Sequence, residues 1–137
     1  MKTRNYTLLS MGCALLAAGI STVAKADVVL EWNQFLRQTF ASEGTSATPP
    51  ANSRTMGMLG GAVYDAVNSV NRNYNSYLGY FDPTTAGSGI DVSAAAATAA
   101  YNVLTSVYTD YYGAGNSYLA GFTNLYNSQM SAISDSA

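Results

Sequence analysis

The sequence contains no histidine, a single cysteine and three prolines among 137 residues. Without histidine, neither a Ser-His-Asp triad nor a Cys-His pair can be assembled, and the Cys/His ligand sets that hold zinc are missing. No phosphate-cradling P-loop, G-x-S-x-G elbow or calcium-loop spacing of acids occurs. Charge is equally sparse, at 10% of residues. Lys2, Arg4 and Lys25 all lie in the first 25 positions, whereas all eight acids come later. Beyond that opening segment there is no lysine, and three arginines against eight acids leave a net charge of −5. Such a surface is a poor match for nucleic acid or anionic lipid.

What the chain does have is apolar content, 48% of its residues. That argues against a disordered tail and for one modest packed domain. Residues 1–26 have the organisation of a secretory signal peptide. Lys2 and Arg4 form the basic start, Leu8–Ile20 the apolar run and Ala24-Lys25-Ala26 an A-x-A cleavage site. The apolar run, about 13 residues, is shorter than the roughly 20 a membrane-spanning helix needs. A lipoprotein cleavage before Cys13 fits less well, because Ser10 stands where leucine is usual. Cleavage after Ala26 predicts a secreted or periplasmic protein, residues 27–137, with no cysteine and no membrane segment.

The mature chain reads as all-α, a bundle of about four helices. From Val28 to about Ala41, Val29, Trp32, Leu36 and Phe40 recur at helical spacing. Ser42–Pro50 breaks that pattern and reads as a connector. The stretch Ser53–Tyr77 predicts a long, nearly uncharged helix with an Asn/Tyr-rich exit, capped by Asn52 or Ser53. Met56, Leu59, Val63, Val67 and Val70 form its stripe, and the other faces are thin, so it is expected inside the bundle rather than on its surface. Gly60 and Gly61 each cost about 1 kcal/mol there relative to alanine, which predicts close approach of a neighbouring helix. On that reading Gly60→Leu or Gly61→Leu lowers thermal stability. Asn71–Gly89 reads as a long loop. Asp91 is expected to cap a third, alanine-rich helix, Val92–Tyr108 or slightly beyond. A fourth runs from Ser117 to about Ile133, with Leu119, Phe122, Tyr126, Met130 and Ile133 on one face.

Few residues invite chemistry. Asp65 lies among small and apolar residues of the long helix, where Asn68, Ser69, Arg72 or Arg37 offer partners. A buried carboxylate there would serve as a general base or as a fastener between helices, and the absence of a neighbouring histidine or second carboxylate favours the fastener. Ser53-Arg54-Thr55, if it opens the helix, offers N–H groups and a guanidinium to an anion, although Arg54 is more simply solvated or paired with an acid such as Glu43. Tyrosines cluster at Tyr74, Tyr77 and Tyr80 and again at Tyr108, Tyr111 and Tyr112. They would form a ligand platform or, more simply, bury their rings and leave the hydroxyls wet.

Several segments in order carry a resemblance. Asp27-Val28-Val29-Leu30-Glu31-Trp32-Asn33, Ala51-Asn52-Ser53-Arg54-Thr55-Met56-Gly57-Met58 and Ala62-Val63-Tyr64-Asp65-Ala66-Val67-Asn68-Ser69-Val70, with the alanine-rich helix, resemble the N-terminal helical region of secreted bacterial vanadium-dependent haloperoxidase-like proteins, of the type 2 phosphatidic acid phosphatase superfamily. The resemblance spans most of residues 27–133 and implies that this bundle is part of a larger helical fold holding vanadate or phosphate. The oxyanion ligands of that family lie in a Lys followed by Arg-Pro, a Pro-Ser-Gly-His block and a Ser-Arg segment ending in His. None of these occurs here, so the resemblance assigns no catalytic, cofactor-binding or metal residue. It implies instead a scaffold piece, inactive alone, whose partner is the missing C-terminal part of the same fold. The other reading is a self-contained secreted helical binding or assembly module using its Tyr-rich loops.

Overall fold

The computed structural model describes residues 27–44, 48–78 and 89–134, which form four helices with no strand among them. Helix α1 is Val28–Glu43, α2 is Pro49–Asn71, α3 is Val92–Tyr112 and α4 is Tyr118–Ser134. The signal peptide read in residues 1–26 lies outside the described residues, as does Tyr80.

Capping chemistry explains most boundaries. Asp27 caps α1 by accepting the Val29 N–H at 2.9 Å. Asp91 caps α3 as expected, accepting from Ser93 and Ala94 at 2.7 and 3.0 Å. Helix α2 starts earlier than expected. Its N-cap is Thr48, with no side-chain bond, and the proline pair begins the helix rather than ending a connector. Proline suits a first turn, because its φ is already helical and the N–H it lacks would have no helical partner. The same helix stops at Asn71, where Arg72 takes the left-handed conformation at φ 51° and donates its N–H to the Asn68 carbonyl at 2.7 Å. Helix α3 continues through Tyr112 before Gly113 ends it at φ 83°.

The central element is α3, which packs on each of the other three helices. Its alanines Ala96, Ala97 and Ala100 are buried and let α2 and α4 approach closely, while Leu104, Val107 and Tyr108 continue the same face. Trp32 and Leu36 of α1, Leu59 and Val63 of α2 and Phe122 of α4 complete the core. Full burial of side chains of this size is worth about 1.5–3 kcal/mol each. The α4 stripe is as expected, with Phe122 and Ile133 buried and Leu119, Tyr126 and Met130 packed beside the core. Tyr101 of α3 stacks on Tyr126 at a centroid distance of 4.7 Å. Gln129 of α4 donates to the Glu31 carboxylate of α1 at 2.6 Å.

The expectation for α2 needs correction. It is a flanking helix that buries one stripe, Thr55, Leu59, Val63 and Asn68, and leaves Gly57, Met58, Gly60 and Tyr64 exposed. Among the described residues no helix closes on its glycines. A Cβ at Gly57 or Gly60 would meet none of these residues within 4 Å, and one at Gly61 would meet the Tyr77 ring at 3.5 Å. Leucine at Gly60 therefore has open space in this structure, which removes the ground for expecting it to destabilise.

Candidate functional site

Two regions combine concavity with unusual side-chain environments. The first is built at the C-terminal end of α1. Trp32, Leu36, Thr39 and Glu43 follow one another at helical spacing, and that single face turns to the core. Glu43 is thereby carried inward and is only 8% exposed. Tyr108, Tyr111 and Tyr112, which share the last turn of α3, come to the same place. With Phe40 and with Ala51, Asn52 and Thr55 from the first turns of α2, they enclose a cleft of about 200 Å³.

Tyr108 is the most constrained residue of this cleft. Its ring stands edge-on to Phe122 at 4.9 Å and to Tyr118 at 5.4 Å, and tilts against Tyr112 at 5.6 Å. Its hydroxyl is buried and has no hydrogen-bond partner of good geometry. Burial drives the Tyr108 phenol far above its ordinary pKa, and the neighbouring Glu43 carboxylate pushes in the same direction without a well-formed hydrogen bond. Burial and then Glu43 also raise the Tyr112 phenol, although that ring is 38% exposed. At the rim, Arg54 donates to the Tyr111 hydroxyl at 3.1 Å and forms no ion pair with Glu43.

This geometry revises the anion site read at Ser53-Arg54-Thr55. Those residues lie inside α2, and Thr55 is buried with its hydroxyl bonded to the Ala51 carbonyl at 3.0 Å. At the true helix start, Pro49 and Pro50 have no N–H and the Asn52 N–H is bonded to the Thr48 carbonyl. An anion would find little there. Tyr108, for its part, reverses the expectation of wet hydroxyls.

The second region is the bare face of α2. An apolar groove of about 330 Å³ runs along one side, lined by Val29, Gly60, Val63, Tyr64, Val67 and Tyr74 among others. Another of about 390 Å³ runs along the other, lined by residues including Gly57, Met58, Gly61, Ala62, Leu78 and Val103. Asp65, half-buried, is engaged with the backbone that follows the helix. Its carboxylate accepts the N–H groups of Tyr77 at 2.6 Å and Leu78 at 3.0 Å. Asn68 clamps the same segment, accepting the Tyr74 N–H at 2.9 Å and donating to the Tyr74 carbonyl at 2.6 Å. The acid thus fastens a segment to its own helix rather than one helix to another, and two backbone donors hold it in the role of acceptor.

In the sequence, Glu43 stands out only as a pairing partner for Arg54. The signal was present in the Trp32-Leu36-Thr39-Glu43 spacing, which puts an acid on the same face as the two largest core residues of α1. Among the described residues no group of three or more His, Cys, Asp or Glu side chains could hold a metal ion, and no helix is long and apolar enough to cross a membrane. No family model, no curated protein and no solved structure matches the chain.

Proposed function

We propose that this chain is the N-terminal scaffold portion of a secreted or periplasmic vanadium-dependent haloperoxidase-like or acid-phosphatase-like protein. The observation that carries this reading is the bare small-residue face of α2. Glycine inside a helix costs about 1 kcal/mol relative to alanine, and close packing of a neighbour is the usual compensation. Among the described residues a Cβ at Gly57 or Gly60 would meet nothing within 4 Å, and apolar grooves flank them on both sides. Further helices of the same fold, seated on that face, would supply the compensation and bury Met58 and Tyr64. In this reading the vanadate or phosphate site belongs to those helices, where cationic groups neutralise the oxyanion and a histidine binds the metal or attacks phosphorus. The present chain contributes shape and no catalytic group.

The direct test is the coding sequence that follows codon 137. An open frame encoding a Pro-Ser-Gly-His block supports the proposal, and a stop with no such block downstream counts against it. At the bench, this chain alone is expected to show neither vanadate-dependent halide oxidation nor phosphatase turnover. Clear activity would overturn the assignment of the chemistry to other helices. The alternative, a self-contained helical binding module, draws support from the Glu43 cleft, whose described lining residues come from α1, α2 and α3.

A further inference from the structure

The Glu43 cleft has no part in the scaffold reading, and its chemistry points to one class of ligand. Its charge is negative. Glu43 is nine-tenths buried with no cation paired to it among the described residues, and it ends α1, where unsatisfied carbonyls add about half a negative charge. No basic residue in the last turn of α1 offsets this. The N-terminus of α2 opposes it only weakly, because its proline pair leaves the Ala51 N–H as the single donor of the first turn without a partner among the described residues. Arg54 is held at the rim by Tyr111.

The walls are aromatic. Phe40, Tyr111 and Tyr112 line the cleft together with Tyr108, whose buried oxygen has no hydrogen-bond partner. Aromatic faces attract a cation within about 6 Å of the ring centre, and cages of such rings beside a carboxylate select alkylated ammonium groups. A primary ammonium carries three donors that each want an acceptor, whereas a quaternary one, fully methylated, has none and suits walls of rings. At about 200 Å³ the space is smaller than the roughly 300–1,000 Å³ clefts that take drug-sized molecules, so the ligand is small.

We propose that the cleft formed by Glu43, Phe40, Tyr108, Tyr111 and Tyr112 binds a small methylated-ammonium cation, with Glu43 as counter-charge and the rings as walls. The N-methyl groups, polarised by the charge, face the rings and the Tyr108 oxygen.

Titration of the full chain with tetramethylammonium and with choline, followed by amide NMR, tests this. Both are expected to shift signals of Glu43, Ala51 and Tyr111–Gly113. Glu43→Gln, which keeps the volume and removes the charge, is expected to weaken binding about tenfold, as is Tyr112→Leu, which removes a partly exposed ring wall. The uncharged choline isostere 3,3-dimethylbutan-1-ol is expected to bind at least about tenfold more weakly than choline to the unmodified chain. That comparison holds even if a variant fails to fold. If the natural source is a lipid headgroup, phosphatidylcholine vesicles will compete with tetramethylammonium. If it is a free cation they will not, and choline will bind in either case. Absence of shifts with either cation, equal binding of the uncharged isostere, or displacement of the cations by inorganic phosphate at the same residues would overturn the proposal.

Discussion

Gly121 on α4 faces the ring of Phe35 on α1 so closely that a Cβ there would stand 2.9 Å from Phe35 Cζ. The half-buried ring also packs edge-on against Phe122 at 5.9 Å, so yielding to a methyl group would disturb that contact. Alanine in a helix is favoured over glycine by about 1 kcal/mol, whereas forcing a methyl into a filled site costs about 1–3 kcal/mol. Gly121→Ala is therefore expected to destabilise by about 1 kcal/mol, read as a lower midpoint in urea unfolding. A midpoint unchanged or raised would show that Phe35 is free to move.

Gly60 is the opposite case. None of the described residues stands within 4 Å of its Cβ position, so Gly60→Ala gains helix propensity without a clash among them. The variant is expected to be more stable by about 0.5–1 kcal/mol. A loss of stability in this chain would mean that a neighbour approaches the face, as a second copy would do.

These two glycines show what could be read in advance. Asp91, the Phe122 stripe and the four-helix count were legible, since capping and helical periodicity are local and the chain obeys them. Which glycine meets a neighbour is not local, because it depends on how helices rotate when they dock. Helix propensity points to Gly60 and Gly61 for close approach, yet the tight contact falls to Gly121, next to Phe122 on α4. Pro49-Pro50 misled for a different reason. A proline pair is compatible with both an extended turn and a helix start, and the residues after it decide. Glu43 was obscured because acids are placed on solvent faces by default, although its spacing from Trp32 and Leu36 gave it to the core.

Asp65 and Asn68 hold the segment after α2 through four hydrogen bonds, at Tyr74, Tyr77 and Leu78. Asp65→Ala is expected to cost about 1 kcal/mol, because the bonds are partly solvated, and Asn68→Ala about 2 kcal/mol, since Asn68 is buried and its removal strands a backbone donor and acceptor. Hydrogen exchange gives a sharper readout. The Tyr77 and Leu78 amides should lose protection in the first variant and the Tyr74 amide in the second. Unchanged protection at those amides would show that other contacts hold the segment.

Alkaline pH should unfold this protein through Tyr108. Its phenol is raised well above the ordinary value near 10, chiefly by burial and then by Glu43, and Tyr112 is raised for the same reasons. Below about pH 10 both groups are protonated in the folded and unfolded chain alike, so their contribution to stability is intact. As the pH rises past that point, the phenols of the unfolded chain ionise while the buried one does not. The unfolded state then holds fewer protons, and stability falls by about 1.4 kcal/mol per pH unit for Tyr108, with less from the exposed Tyr112. Urea unfolding between about pH 8 and about pH 11.5 measures the slope, and ultraviolet absorbance reports when phenolate forms. Tyr108→Phe isolates the cause. It removes the ionisable group, so the slope should flatten. It also removes a buried hydroxyl with no partner, so stability at neutral pH should hold or rise by up to about 1 kcal/mol. An equally steep alkaline slope in Tyr108→Phe would place the titrating group elsewhere, and a clear loss at neutral pH would mean that the hydroxyl has a partner, with Glu43 the nearest choice.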